Sequence, residues 1–435
     1  MRRIPVLWLV EHIAREMDVT CAVKYLAKAR HDLDITVRQI YLHANEVMAE
    51  FVPDVVVYPF FYYADGALAQ EDYARCWPDA IHFNLAWEEL FYKAHEKVKA
   101  PSDEFARKKV IHHAWGDFFK TYLMASGVPE DHVFVNGQPA YQLYLPPYSR
   151  YYRQRDWLAR EYKLDTSKRW VFFPENYRWA FFNDKKLDQM ALKGPEVSET
   201  RAMRDFCHNS LVEVLRWCQE AARHKDLEII FRPRPATMEQ EIASLFAERI
   251  GTPAPNLHLI KGESVREWIL ASDKTISSYS TSLIEAAIAG KPIYMAEPFP
   301  IPQTLCCDWY QHVRRLRTAE EFDHACLSDD GGADGFVLAS WARGQMLSRG
   351  DPIARLADFV KALADRQKHS GANRGSLFWR TTRKRLGSLY RCLMRMKGVK
   401  RKNYFNPRTH EKDQFDEKDV RQRVQAWQAV LRDSA

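Results

Sequence analysis

The chain has 435 residues, 46% hydrophobic and 28% charged, an ordinary globular composition that excludes wholesale disorder and allows two or three domains. Its net charge of +7 is unevenly placed, because fourteen Lys or Arg and no Asp or Glu fall between Arg366 and His410, so that the remainder sums to −7. No apolar run approaches the ~18 residues of a membrane span, and eight cysteines without CxxC or zinc-ligand spacing fit reduced thiols in a cytosolic protein.

Ile4–Val10 is a short apolar run stopped by Glu11, which reads as a buried strand and has neither the length nor the cleavage site of a signal peptide. Val19, Val23, Leu26 and Ala27 share one face of a helix over Glu16–Ala29. Further strands are predicted at Ile35–Ile40, Asp54–Phe61, Ala80–Asn84, Lys108–Ala114 and His132–Gly137, with a helix entered at Trp87-Glu88-Glu89. After an aromatic-rich helical stretch over Tyr148–Tyr162 the alternation resumes. Strands at Trp170–Pro174, Leu227–Phe231, Leu257–Lys261, Lys274–Ser278 and Pro292–Ala296 alternate with helices at Arg204–His224, Met238–Ile250, Val265–Ala271 and Ser282–Ala289. Two such runs imply two doubly wound α/β domains, residues 1–160 and 161–335, with the Gly/Asp-rich Ser328–Gly335 closing the second. A helical C-terminal extension over 336–435 holds a helix around Pro352–Ala364, the basic segment and a charged terminal helix.

Several common chemistries lack their signal: no GxGxxG after a strand, no P-loop, no GxSxG and no HExxH occur. The single DxD, Asp32-Leu-Asp34, lies in the loop before a strand and reads as a solvated turn. No metal site is expected. The most informative stretch is Lys274–Pro298, where a strand leads into a hydroxyl-rich turn and then a helix. Backbone N–H groups and hydroxyls at a helix N-terminus can hold a phosphate, which makes Ser280, Thr281 and Ser282 candidates to cradle a diphosphate or nucleoside monophosphate. A plain capping box of Ser282 with Glu285 is the structural alternative, but it needs one hydroxyl where five fall between Ser277 and Ser282. Arg232 and Arg234, spaced by prolines after a strand, suit phosphate or carboxylate recognition. Glu175 and Asn176 follow another strand, so three polar loops of one domain would converge at its carboxyl edge. In the first domain Glu11, His12, Glu16 and Glu88 follow strands in the same way and are four unranked candidates for a base or nucleophile.

The segments VEHIARE, NLAWEEL, HHAWG, VNGQPAYQLY, FFPENY, FRPRP and WILASDKTISSYSTSLIEAAIAGKP fall within residues 5 to 300. In this order they resemble the bacterial surface-carbohydrate biosynthesis proteins, glycosyltransferases of the GT-B type. The last segment is similar to that of Kdo transferases and teichoic-acid glycerophosphate polymerases. The resemblance implies two Rossmann-like domains facing across a cleft, with the acceptor on the N-terminal one and the nucleotide-activated donor on the C-terminal one. No cofactor is obligatory. It also implies phosphate binding by Arg232, Arg234 (where the family has His) and Ser280–Ser282, and a donor-ribose contact for Glu285.

The resulting expectation is a cytoplasmic glycosyltransferase of capsule or lipopolysaccharide assembly, using a nucleotide sugar such as CMP-Kdo or another acidic sugar and a glycan or lipid-linked acceptor. Preorganised phosphate contacts would stabilise the leaving group. A CDP-glycerol-type glycerophosphotransferase on the same fold is the alternative enzyme. A nucleic-acid-binding protein is the rival from another class, disfavoured because the −7 body would repel a phosphate backbone and no recognition motif accompanies the basic run. Within that run, Leu377–Lys402 interleaves Phe378, Trp379, Leu386, Leu389, Tyr390, Leu393 and Met394 with cations, the pattern of a helix lying on the anionic inner membrane surface.

Overall fold

A computed structural model describes residues 2–63, 69–90, 99–191, 197–234, 237–328, 332–370 and 411–432. The chain divides into two compact units. The first takes the residues up to Glu89, Lys99–Gln142 and the chain from Met346 onward, and the second takes Leu143–Gln345.

The first unit is built on a parallel sheet of β1 (Arg2–Val10), β2 (Ile35–Gln39), β3 (Phe51–Tyr58), β4 (Ile81–Asn84), β5 (Val110–Ala114) and β6 (Val133–Val135), in the order β2-β1-β3-β4-β5-β6. Leu7 lies opposite Thr36 on one side and Val56 on the other. The continuous runs of β1 and β3 are buried on both faces, as a helix-covered parallel strand requires. The second unit repeats the plan with β7 (Arg169–Pro174), β8 (Leu227–Arg232), β9 (Leu257–Leu259), β10 (Lys274–Ser277), β11 (Ile293–Ala296) and β12 (Arg315–Leu316), in the order β12-β11-β10-β7-β8-β9. In each sheet the chain runs outward on one side of its first strand and then crosses to the other. The two switch points therefore lie between β1 and β3, and between β7 and β10. The alternation read from the sequence is the observed one; only the two-residue edge strand β12 had no apolar run to announce it.

Three expectations change. Residues Leu85–Leu90 form no helix: Ala86 takes a left-handed conformation at φ 46°, its N–H donates to Asn84 Oδ1 at 3.0 Å, and Leu85 N–H bonds Tyr58 O at 2.9 Å. An Asn-stabilised turn tied to the neighbouring strand end has replaced the first helical turn. Ser328–Gly335 does not close the second unit, because helix Gly332–Met346 follows and Arg343 bonds Ile288 O at 3.2 Å. Nor do residues 336–435 stand as an extension of their own. Helix Pro352–Ser370 buries Ile353, Leu356, Ala357, Val360 and Ala364, one helical face, against helix Asp18–His31 and β3. Helix Glu417–Leu431 packs on the same Asp18–His31 helix, with ion pairs Arg423–Asp18 at 2.8 Å and Arg38–Glu417 at 2.6 Å.

The return into the first unit explains the Asn-Gly of VNGQPAYQLY. Gln138 N–H bonds Met346 O at 2.7 Å, and a Cβ on Gly137 (φ 110°) would lie 2.8 Å from that same oxygen. Only glycine fits there. Leu377–Lys402 lies outside the described residues. Among the described residues no helix is long and apolar enough to cross a membrane, and the described cysteines are free thiols.

Trp427 is fully buried in the terminal helix. Trp427→Ala should therefore lower the stability of the first unit by ~3–5 kcal/mol, read as a reduced midpoint in urea unfolding. An unchanged midpoint would mean that the terminal helix does not support that unit.

Candidate functional site

At the carboxyl end of β1 the chain enters a π-helical turn, Ile13–Met17, whose entry is organised by Glu16. The Glu16 side chain has no exposure; its Oε2 accepts Glu11 N–H at 2.8 Å and its Oε1 accepts His12 N–H at 3.2 Å. Burial raises the Glu16 carboxyl above its ordinary range, while the facing Arg15 guanidinium and the Glu11 N–H oppose the rise. Arg15 gathers the other candidates. It reaches Glu16 at 2.7 Å, Glu11 at 2.8 Å and Glu88 at 2.9 Å, and Glu88 also pairs with Lys99. Three of the four first-domain candidates, Glu11, Glu16 and Glu88, are thus brought together around an arginine that the sequence had shown only as part of the motif.

His12 is turned the other way. Its Nδ1 lies 2.8 Å from Asp413 Oδ2, while Asp413 Oδ1 accepts Ile13 N–H at 2.8 Å. Asp413 was not among the sequence candidates; separated by 401 residues from His12, it carries no local signal. Burial works to lower the His12 pKa, but the Asp413 hydrogen bond and the Glu11 charge outweigh it, and His12 is raised.

In the second unit the three expected loops meet at the switch point. Glu175 extends the β7–β8 ladder through its own N–H, bonded to Arg232 O at 2.9 Å. Its buried carboxylate accepts Tyr177 N–H on one oxygen and Arg234 N–H, at 3.1 Å, on the other. Burial raises that carboxyl; the same N–H groups hold it back. Glu175 therefore clamps two loops together, and Asn176, next to it in the chain, is half-buried. Ser277 Oγ donates to Pro174 O at 2.6 Å and ties β10 to β7. Ser280 Oγ lies 3.2 Å from Ser282 Oγ and accepts Ser282 N–H at 3.3 Å, and Thr281 beside them is exposed.

Arg232 places Nη2 at 2.7 Å from Glu263 O, while its Nε is buried with no partner among the described residues. Burial pulls this guanidinium below its ordinary range against the charges of Glu267 and Glu263. The Ser282–Glu285 capping box is not formed. Thr281 occupies the N-cap without a side-chain bond, and Glu285 instead receives the Tyr144 hydroxyl, with burial raising its carboxyl against the opposing charge of Arg266. A box of this type occurs one helix earlier, at Ser264 and Glu267. Tyr144 had no signal, since its relation to Glu285 is purely tertiary.

No protein-family model matches the chain, and no curated protein matches it by sequence. Solved structures do. The wall teichoic acid polymerase TagF is similar at TM-score 0.51 and 9% identity, over 84% of this chain and 89% of that one. A UDP-GlcNAc 2-epimerase from Neisseria meningitidis bound to UDP-GlcNAc is similar at 0.50 and 10%, over 82% and 98%. A further UDP-N-acetylglucosamine 2-epimerase gives 0.50 and 11%, over 82% and 95%. These likenesses establish the fold as a GT-B-type pair of Rossmann-like units.

A histidine whose folded pKa exceeds its unfolded value contributes stability that is full below the unfolded value and lost as pH rises through the folded one. The stability difference between wild type and Asp413→Asn should thus be greatest below about pH 6 and shrink above about pH 7. Urea unfolding at a series of pH values measures it; a difference constant with pH would show that the pair gains nothing from charge on His12.

Proposed function

We propose that the protein is a glycosyltransferase that takes a sugar from a nucleotide-activated donor bound at the carboxyl edge of β7, β8 and β10. The placement of Arg232, Arg234 and the Ser280–Ser282 turn after β8 and β10, the two strands that flank β7, with the Arg232 Nε buried and unpartnered among the described residues, is the observation that supports this reading. The desolvated Arg232 guanidinium and a hydroxyl-lined helix start suit a phosphate that gains charge as the glycosidic bond breaks. Glu175 acts there as a support, since both its oxygens are spent on backbone N–H groups. Glu285 meets the donor ribose in this reading, releasing Tyr144 or sharing it. The first unit supplies the group that deprotonates the acceptor hydroxyl, from among Glu11, His12, Glu16 and Glu88.

A cytidylyl-activated acidic sugar such as CMP-Kdo is the donor proposed, and surface polysaccharide assembly, capsule or lipopolysaccharide, is the setting. The GT-B-type fold shared with two enzymes named for UDP-GlcNAc supports a nucleotide sugar in general. Residues 377–402 hold the protein to anionic lipid on the cytoplasmic face of the inner membrane.

Thermal-shift measurements with CMP, CDP, UDP and GDP test the donor site, because a ligand at 100 times its Kd adds about 2.7 kcal/mol. A rise with one of them is expected; none with any would overturn the reading. Arg232→Ala should cost ~1.5–3 kcal/mol of that nucleotide's binding, roughly ten- to a hundredfold in Kd. Unchanged affinity in the folded variant would remove Arg232 from the site. A product that keeps the donor phosphate would identify a phospho-alditol transferase instead. For the membrane, replacing the Lys and Arg of 377–402 by Ser should abolish sedimentation with phosphatidylglycerol vesicles, and equal sedimentation would refute the lipid contact.

A further inference from the structure

We propose that Tyr144 is a positioning residue of the donor site, its hydroxyl fixing the Glu285 carboxylate so that the remaining lone pairs accept the vicinal diol of a ribose. The inference rests on the glycosyltransferase reading and assigns to Tyr144 a preference for ribonucleotides over deoxyribonucleotides. Tyr144, Arg266 and Glu285 all belong to the second unit. Tyr144 is 3% exposed and Arg266 5%, whereas Glu285, in helix Ser282–Ile288, is half-buried. The Tyr144 hydroxyl donates to Glu285 Oε2. An ionised carboxylate offers about four lone-pair positions, and one phenol fills one of them. A buried donor therefore holds the carboxylate, while the residue it holds keeps access to solvent.

The helix itself makes no use of this acid. Thr281 occupies its N-cap without a side-chain bond, and no capping box with Ser282 is formed. Helical side chains lean toward the N-terminus, and residues three apart are neighbours at ~5–6 Å between Cβ atoms. Glu285 thus shares a face with Ser282 and leans toward the Ser280–Ser282 turn. A carboxylate repels a phosphate and accepts only from O–H or N–H donors, so it suits the uncharged part of a nucleotide whose phosphate lies at that turn. Two adjacent hydroxyls match its two oxygens, as a single hydroxyl does not.

Tyr144 acts on charge as well as on direction. Burial raises the Glu285 carboxyl, and the Arg266 charge and the Tyr144 hydrogen bond oppose the rise. Once protonated, the acid would donate through one oxygen and lose a place for the diol. The charged and titratable groups that face the pair are Arg266 and Tyr152. Exchange of Tyr144 for a ligand hydroxyl would uncover a buried ring, whereas sharing Glu285 leaves the packing intact.

Isothermal titration of the full-length chain gives Kd for CMP, CDP, UDP and GDP and for their 2′-deoxy and 3′-deoxy counterparts. Wild type should bind one ribonucleotide about tenfold or more tightly than its deoxy forms. In Tyr144→Phe that ratio should fall to about threefold or less, while the deoxynucleotide Kd stays within about twofold of wild type. Glu285→Gln should lose the ratio as well. In wild type the ratio should fade on acidification toward about pH 5 as the raised carboxyl takes its proton, the phosphate titration being common to both ligands. A ratio kept in Tyr144→Phe would overturn the assignment, and so would an equal weakening of both ligands, which marks a structural tyrosine. Tighter ribonucleotide binding by Tyr144→Phe would show that the hydroxyl competes with the diol, and would overturn it too. Where Tyr144→Phe does not fold, an unchanged ratio in Glu285→Gln or a wild-type ratio constant with pH overturns it. Equal binding of both forms by wild type overturns the diol site alone, and binding of no nucleotide overturns the donor-site reading.

Discussion

Each sheet depends at its switch point on one buried carboxylate that accepts two backbone N–H groups. Glu16 does this for Glu11 and His12 after β1, and Glu175 for Tyr177 and Arg234 beside β7. The need is general: a parallel strand that stops at the sheet edge leaves N–H groups without ladder partners, and each left unsatisfied when buried costs about 1–3 kcal/mol. Desolvating a carboxylate is also costly, which is why burial raises both groups, yet two N–H bonds and a nearby arginine offset it. The clamps convert flexible crossings into fixed loops. His12 and Arg234 are presented from backbone whose own N–H groups are held in this way.

Period and run length carry the fold because they are local. Uninterrupted Val-rich segments such as Val55–Val57 bury on both faces wherever helices cover a sheet, so the strands were legible one by one and their sum gave two doubly wound units. The readings that failed concern positions where a tertiary hydrogen bond competes with a local preference. Trp87-Glu88-Glu89 has good helix formers, but Asn84 captures the Ala86 N–H and Tyr58 O takes Leu85 N–H, and the helix start is lost. Ser282-x-x-Glu285 has the spacing of a capping box, and the Tyr144 hydroxyl takes the acid away.

The candidate site was legible in the same uneven way. Residues that follow strands directly, Glu11, His12, Glu175, Arg232 and the Ser280–Ser282 turn, are placed by strand register and could be named without coordinates. Their roles could not, because a role depends on the partner. Glu16 reads as a catalytic candidate and Glu175 as a donor-binding one, and both are backbone clamps once both oxygens are counted. Asp413 is invisible beforehand, since nothing in a terminal 3-10 turn announces that its carboxylate reaches the end of the first strand.

That reach also gives the division of charge a structural meaning. Helices Pro352–Ser370 and Glu417–Leu431, on either side of residues 371–410, both pack on Asp18–His31, so the chain leaves and re-enters on one helix of the first unit. A truncation after Gly371 would also delete Asp413, Arg423 and Trp427, removing a hydrogen bond to His12, an ion pair to Asp18 and a buried indole along with the cations. Loss of activity on truncation would consequently report the His12 loop and the packing of the first unit. Replacing the cations in place leaves those contacts standing, which makes membrane attachment and the support of His12 separable properties of the same stretch of chain.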